Sequence, residues 1–148
     1  LVYTSPPLSR RIHVCGTPRA FVHLQSSLDH CDLVVKLVRV LPDGRAWNVS
    51  IGGARSSSLF KQPPHRADSV HEWQFDLEPT SCVLAPGERL RVEVASSAFP
   101  LFDRNPGSGV PARLATPRDW LRARQQVLHG PGTPSRVELP VLHTEKDT

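Results

Sequence analysis

The sequence predicts an antiparallel β-sandwich or jelly roll, and three observations carry that prediction. Apolar and polar residues alternate with a period of two in run after run. Gly/Pro turn signals separate these runs at regular spacing. Proline is abundant, with 15 among 148 residues, and its spread along the chain leaves little room for long helices.

The elements follow in order. Arg19 to Ser26 places Ala20, Val22 and Leu24 on one face and Phe21, His23 and Gln25 on the other. Leu33 to Leu41 is nearly continuous apolar and rich in valine, broken by Lys36 and Arg39. It reads as a central strand covered on both faces. Pro42-Asp43-Gly44-Arg45 is a hairpin turn, because Pro presets φ and Gly accepts a positive φ. The return strand runs from Ala46 to Ile51, with Trp47, Val49 and Ile51 on one face. Gly52 to Ala67, including Pro63-Pro64, reads as a loop. His71 to Leu77 alternates again, with Trp73, Phe75 and Leu77 inward. Pro86-Gly87 is a second turn, and Arg89 to Ser97 sets Leu90, Val92 and Val94 against Arg89, Arg91 and Glu93. Thr116-Pro117-Arg118-Asp119 offers an N-cap, a Pro at N1 and a carboxylate at N3, so a short helical turn is expected before Trp120. The last strands, Arg124 to His129 and Arg136 to Leu142, read as a pair joined through Gly130 to Pro134.

Composition narrows the function classes. Residues 1–148 fit one domain. The chain is 39% hydrophobic and 22% charged, which is globular rather than disordered. A net charge of +4 permits nucleic-acid binding. The arginines, however, alternate with apolar residues or sit singly in loops, without a basic stripe and interleaved aromatics. No nucleic-acid partner is expected. No apolar run reaches the length of a membrane span, so no membrane partner is expected. Cys15, Cys31 and Cys82 are odd in number and form no CxxC pair. Free thiols in a reducing compartment, the cytoplasm, are the expectation. Methionine is absent, even at position 1. The chain therefore reads as a piece cut from a larger protein.

The search for chemistry gives no centre. The G-x-S-x-G elbow is missing, and Gly107-Ser108-Gly109 lies in a Pro/Gly loop. His13, His23, His30, His65, His71, His129 and His143 show no metal-ligand spacing. No glycine-rich phosphate loop follows a strand. Hence no catalytic residue, metal ligand or cofactor is assigned. Trp47 and Trp73 fall in strand patterns that indicate core, and Trp120 is left as the candidate exposed platform. An independent carbohydrate- or ligand-binding module is the alternative reading.

The densest segment is Ser96-Ser97-Ala98-Phe99-Pro100-Leu101-Phe102-Asp103-Arg104-Asn105-Pro106. In one reading it is a strand-end loop whose Asp103 and Asn105 bond nearby backbone. In the other it is a docking or pocket-wall loop, with Phe99 or Phe102 as anchor and Arg104 as a forked donor.

This segment resembles the signature of the C-terminal non-catalytic domain of X-Pro dipeptidyl-peptidases and the related cocaine-esterase hydrolases. Leu1 to Leu8 resembles that family's first strand. Leu37 to Ala46, with Pro42, Asp43, Gly44 and Arg45, resembles its central hairpin. Leu84 to Arg91, with Pro86 and Gly87, resembles the hairpin before the signature, and His129 to Val141 resembles the closing strand. His30-Cys31-Asp32-Leu33 departs from the family's Asp-Thr-Asp-Phe and keeps only Asp32. The resemblance implies a galactose-binding-like jelly roll from the C-terminal end of a larger protein. It implies as partner an upstream α/β-hydrolase domain of the same polypeptide, which would hold the Ser-His-Asp triad, in a parent that is homodimeric in one option. The parent would act on X-Pro peptides, esters or amides. The motif residues are carried over as structural or interface positions, none as catalytic.

Overall fold

The computed structural model describes residues 1–61 and 64–142; Pro63 and His143 lie outside the described residues. The chain is almost entirely β. Its strands are β1 (Val2–Thr4), β2 (Ile12–Gly16), β3 (Arg19–Ser26), β4 (Asp32–Val40), β5 (Ala46–Arg55), β6 (Val70–Asp76), β7 (Thr80–Leu84), β8 (Arg89–Ala95), β9 (Gln125–Leu128), β10 (Arg136–Glu138) and β11 (Val141–Leu142). One short helix, α1 (Ser56–Leu59), follows β5.

Among the described residues, three antiparallel sheets form. The first has the order β1-β8-β4-β5, the second β10-β3-β6 with β9 also on β3, and the third β11-β2-β7. The first two sheets share one core: Leu33, Val35 and Leu37 of β4 pack with Ala20, Val22 and Leu24 of β3 and with Trp73 of β6. Val34, Val38 and Val40 are buried on the opposite face of β4. The expected central strand, covered on both sides, is thus observed. Trp73 is fully buried as its alternation predicts, and burial of so large a side chain stabilises the fold by about 2–3 kcal/mol.

Four expectations need correction. The segment from Gly52 is not all loop: β5 continues through Gly52-Gly53 to Arg55. The glycines serve close packing here, since a Cβ at Gly52 would lie 2.6 Å from the Asp76 carbonyl oxygen and 2.8 Å from Leu77 Cα. Trp47 is 58% exposed rather than core. A β-bulge between Leu37 and Val38 leaves Val49 unpaired, so Trp47 opposes Arg39 while Ile51 opposes Lys36. One extra residue thereby puts Trp47 and Ile51 on opposite faces. β9 and β10 do not pair with each other but take successive stretches of one edge of β3. Finally, β10 and β11 are separate strands in different sheets, divided at Leu139-Pro140, because Pro cannot donate to a ladder.

The two hairpin turns meet at one end of the molecule. Gly44 and Gly87 both have positive φ, +89° and +85°. A Cβ on Gly87 would lie 4.0 Å from Pro42 Cγ. β4 runs from this end, at Val40, to Asp32 at the other, about 26 Å away at the usual rise of a strand.

Candidate functional site

Asp32 organises the far end of β4. Hairpin register sets it opposite Arg55. Arg55 Nε donates to Asp32 Oδ1 and Nη2 to Oδ2, both at 2.9 Å. The Asn105 side-chain amide donates to Asp32 Oδ1 at 2.6 Å. Arg55 also donates to the Asp103 carbonyl at 3.0 Å. One carboxylate thus binds a neighbouring strand and a loop distant in sequence. The hydrogen bond to Asp32 raises the Arg55 pKa above its ordinary value, against the opposing effect of burial. This forked geometry suits Arg better than Lys.

The loop is built around that anchor. The Ala98 carbonyl accepts from the N–H groups of Leu101, at 2.9 Å, and Phe102, at 3.2 Å, across a cis Phe99-Pro100 bond. Asn105 Oδ1 accepts from the Gly107 N–H at 2.9 Å. Pro106 is fully buried, and its carbonyl accepts from Leu121 N–H at 2.8 Å. Phe102 lies over Gly53, where a Cβ would come 3.1 Å from its Cε2. Beside it opens a cavity of about 430 Å³, walled by Asp32, Val34, Arg55, Leu59, Phe102 and Asp103.

Apolar side chains crown this end. Phe99 is 65% and Leu101 57% exposed. Trp120 is partly exposed, but the Arg104 guanidinium covers one face of its ring at 4.4 Å. The expected helical turn is a 3₁₀ turn at Pro117–Asp119. It is held by Asp119 Oδ2, which accepts from Thr116 N–H at 2.7 Å and from its hydroxyl at 2.6 Å. These bonds lower the Asp119 pKa, the hydroxyl contributing most.

The motif residues therefore fall into two groups. Asp32, Phe99, Pro100, Phe102, Asp103, Arg104, Asn105 and Pro106 gather at one end. Pro42, Asp43, Gly44, Arg45, Pro86 and Gly87 form the turns at the other. There Asp43 Oδ1 accepts from the Arg45 N–H at 3.0 Å, and Arg39 Nε donates to Glu88 Oε2 at 2.8 Å. Sequence reasoning missed Arg55 and Leu59. The signal for Arg55 was its place opposite Asp32 once the hairpin is continued through Gly52-Gly53. Leu59 carried no such signal.

Comparison with known proteins adds to this geometry. The family model of the X-Pro dipeptidyl-peptidase C-terminal non-catalytic domain matches residues 1–138. The chain is 33% identical to the cocaine esterase of Rhodococcus sp. (strain MB1 Bresler), over 96% of its own length and 25% of the esterase. It is 30% identical to a putative Xaa-Pro dipeptidyl-peptidase of Rhodopirellula baltica, over 66% of its length and 17% of that protein. Among solved structures, an α-amino acid ester hydrolase superposes with a TM-score of 0.88 at 32% identity, covering 96% of this chain and 25% of that one. The chain thus spans about a quarter or less of the length of these relatives.

Proposed function

The chain belongs to the family of X-Pro dipeptidyl-peptidase C-terminal non-catalytic domains, and from that membership we propose that it packs on an α/β-hydrolase domain of the same polypeptide and helps shape its substrate site. The observation that carries this reading is a contrast within the Phe99–Pro106 loop. Its Asp103 carbonyl is tied to Arg55 and its Asn105 amide to Asp32, yet Phe99 and Leu101 face solvent. A rigid loop that displays apolar anchors is the anatomy of an interface core. The cavity beside Phe102 would accept an apolar group from the partner or form part of the substrate wall.

The parent enzyme is a serine hydrolase acting on X-Pro peptides or on esters and amides in this proposal. The relatives named as an esterase, a peptidase and an amino acid ester hydrolase support that class. The fold is the galactose-binding-like jelly roll, one domain over residues 1–148, supported by its antiparallel sheets and shared core. The free thiols Cys15, Cys31 and Cys82 suit a reducing cytoplasm.

The test is Phe102→Ala in the full-length enzyme. Phe102 lies over Gly53 at the cavity wall, so kcat/KM is expected to fall about tenfold through lost shape at the site. Urea unfolding is expected to shift by no more than about 1–2 kcal/mol for this half-buried ring. Loss of stability with unchanged kcat/KM would make the loop a structural element only. Trp120 as a sugar platform is disfavoured by the guanidinium already seated on it.

A further inference from the structure

The segment between β5 and β6 is fastened to the core by bonds of Ser56, Ala67 and Asp68 and by two histidines. His65 is only 4% exposed. Its ring centroid lies 4.5 Å from that of His71 and 5.7 Å from those of Phe60 and Trp73. His65 Nδ1 is 3.1 Å from the Asp29 carbonyl oxygen. A carbonyl only accepts, so Nδ1 carries the hydrogen. Nε2 of the neutral ring then presents its lone pair to the Cys31 thiol, 4.0 Å away. His71 is fixed in the same sense from the opposite side. Its Nε2 accepts the Arg66 backbone N–H at 3.2 Å. Both rings are therefore used as acceptors at Nε2, and an imidazolium has no acceptor.

We propose that His65 and His71 form a pH-sensitive latch: neutral, they help hold residues 57–61 and 64–69 against the core, and protonation breaks the acceptor bonds and loosens them. Two imidazolium rings stacked at this distance would also repel each other. Among the charged and titratable groups facing the pair, Asp29 favours the charged form of His65, but burial and His71 outweigh it. From the β3–β4 connection come Asp29, His30 and Cys31, and Asp29 Oδ1 already accepts the Ala67 N–H at 2.6 Å. From the segment itself come Lys61 and Arg66, both cationic, and His30, Lys61 and Arg66 line the same cavity of about 410 Å³ as His65. Burial, and then His71, push the His65 pKa below its ordinary 6.5. The unfolded chain takes up a proton that the folded one refuses. This stabilisation is complete above about pH 6.5 and is lost as the pH falls through the lower folded value.

The loosening reaches the candidate site. Leu59 and Ser58, on the latched segment, wall the cavity beside Phe102 and Asp103. That consequence rests on the docking proposal above, whereas the opening itself does not. Hydrogen-exchange mass spectrometry on the full-length protein, corrected for intrinsic exchange, reads the opening directly. Between about pH 7.5 and about pH 5, peptides spanning residues 60–70 should lose protection about tenfold or more, while those of β4 stay protected. His71→Gln keeps an acceptor but cannot titrate, and it should remove most of this loss. Equal protection at both pH values, or an undiminished loss in His71→Gln, overturns the latch. Should that variant misfold, ring-nitrogen NMR of the unsubstituted protein decides. The latch requires His65 to gain its proton over the pH range in which the peptides open, and protonation without opening overturns it.

Discussion

The two ends of β4 carry nearly the same device for different purposes. At each, an arginine about one-third exposed meets a largely buried carboxylate: Arg55 with Asp32, and Arg39 with Glu88. At the turn end Glu88 ties β4 to its own turn, accepting from Arg39 across 49 residues of sequence. Glu88 also accepts the Ala85 N–H, at 2.9 Å, and so closes its own hairpin. At the other end Asp32 reaches Asn105, far along the chain. The first arrangement completes a turn that Pro86 and Gly87 already favour. The second holds in place a loop that, among the described residues, pairs with no strand. An ion pair tells little about function; the segment it immobilises tells more.

The sharpest way to separate the two ends is to break each pair. Asp32→Ala leaves the Asn105 amide without its acceptor and the Arg55 guanidinium with only the Asp103 carbonyl, and urea unfolding should show a loss of about 3 kcal/mol. The freed loop should also cost the full-length enzyme more than tenfold in kcat/KM, about 1.4 kcal/mol or more of lost transition-state stabilisation. Glu88→Ala should lower stability by a comparable amount, about 2–3 kcal/mol, and leave kcat/KM unchanged. Equal kinetic effects would erase the distinction.

Glycine substitutions probe the same contrast more gently. Gly44 has φ +89° and open space around it, so Gly44→Ala costs backbone strain, about 1 kcal/mol by thermal unfolding, with no change in activity. Gly53 has no positive φ, but an added Cβ would lie 3.1 Å from the Phe102 ring. Gly53→Ala should move KM or kcat through that ring at a stability cost of about 1 kcal/mol or less.

The smallest effect is acid dependence. Hydrogen bonding to Arg39 holds the Glu88 pKa below its ordinary 4.5. The stabilisation it brings is present above that value and lost as pH falls through the lower folded one. Urea midpoints of wild type and Glu88→Gln should therefore converge in acid below about pH 4.5. Midpoints that stay parallel would remove Glu88 from this role.

The same contrast explains what the sequence reveals. The turn end is legible because its causes are local: Pro42, Gly44, Pro86 and Gly87 dictate φ without knowing the rest of the fold. Strands β3, β4, β6 and β8 are legible from alternation against one core. The unread parts have distant causes. β2 and β7 are five-residue strands, too short for alternation to stand out. Gly52 and Gly53 read as loop until Asp76 and Phe102 are known to crowd them. Trp47 reads as core until the bulge turns it away from Ile51. The bond from Asn105 to Asp32 has no local signature, and the family resemblance marks the two residues in separate motifs without joining them.

The docking claim meets its most direct test in hydroxyl-radical footprinting of the full-length protein. Phe99 and Trp47 are similarly exposed in this chain, at 65% and 58%, at opposite ends of the molecule. The account predicts that Phe99 and Leu101 resist labelling, buried against the catalytic domain, while Trp47 is labelled readily. Phe99 and Leu101 labelled at the rate expected from their exposure in this chain would contradict it.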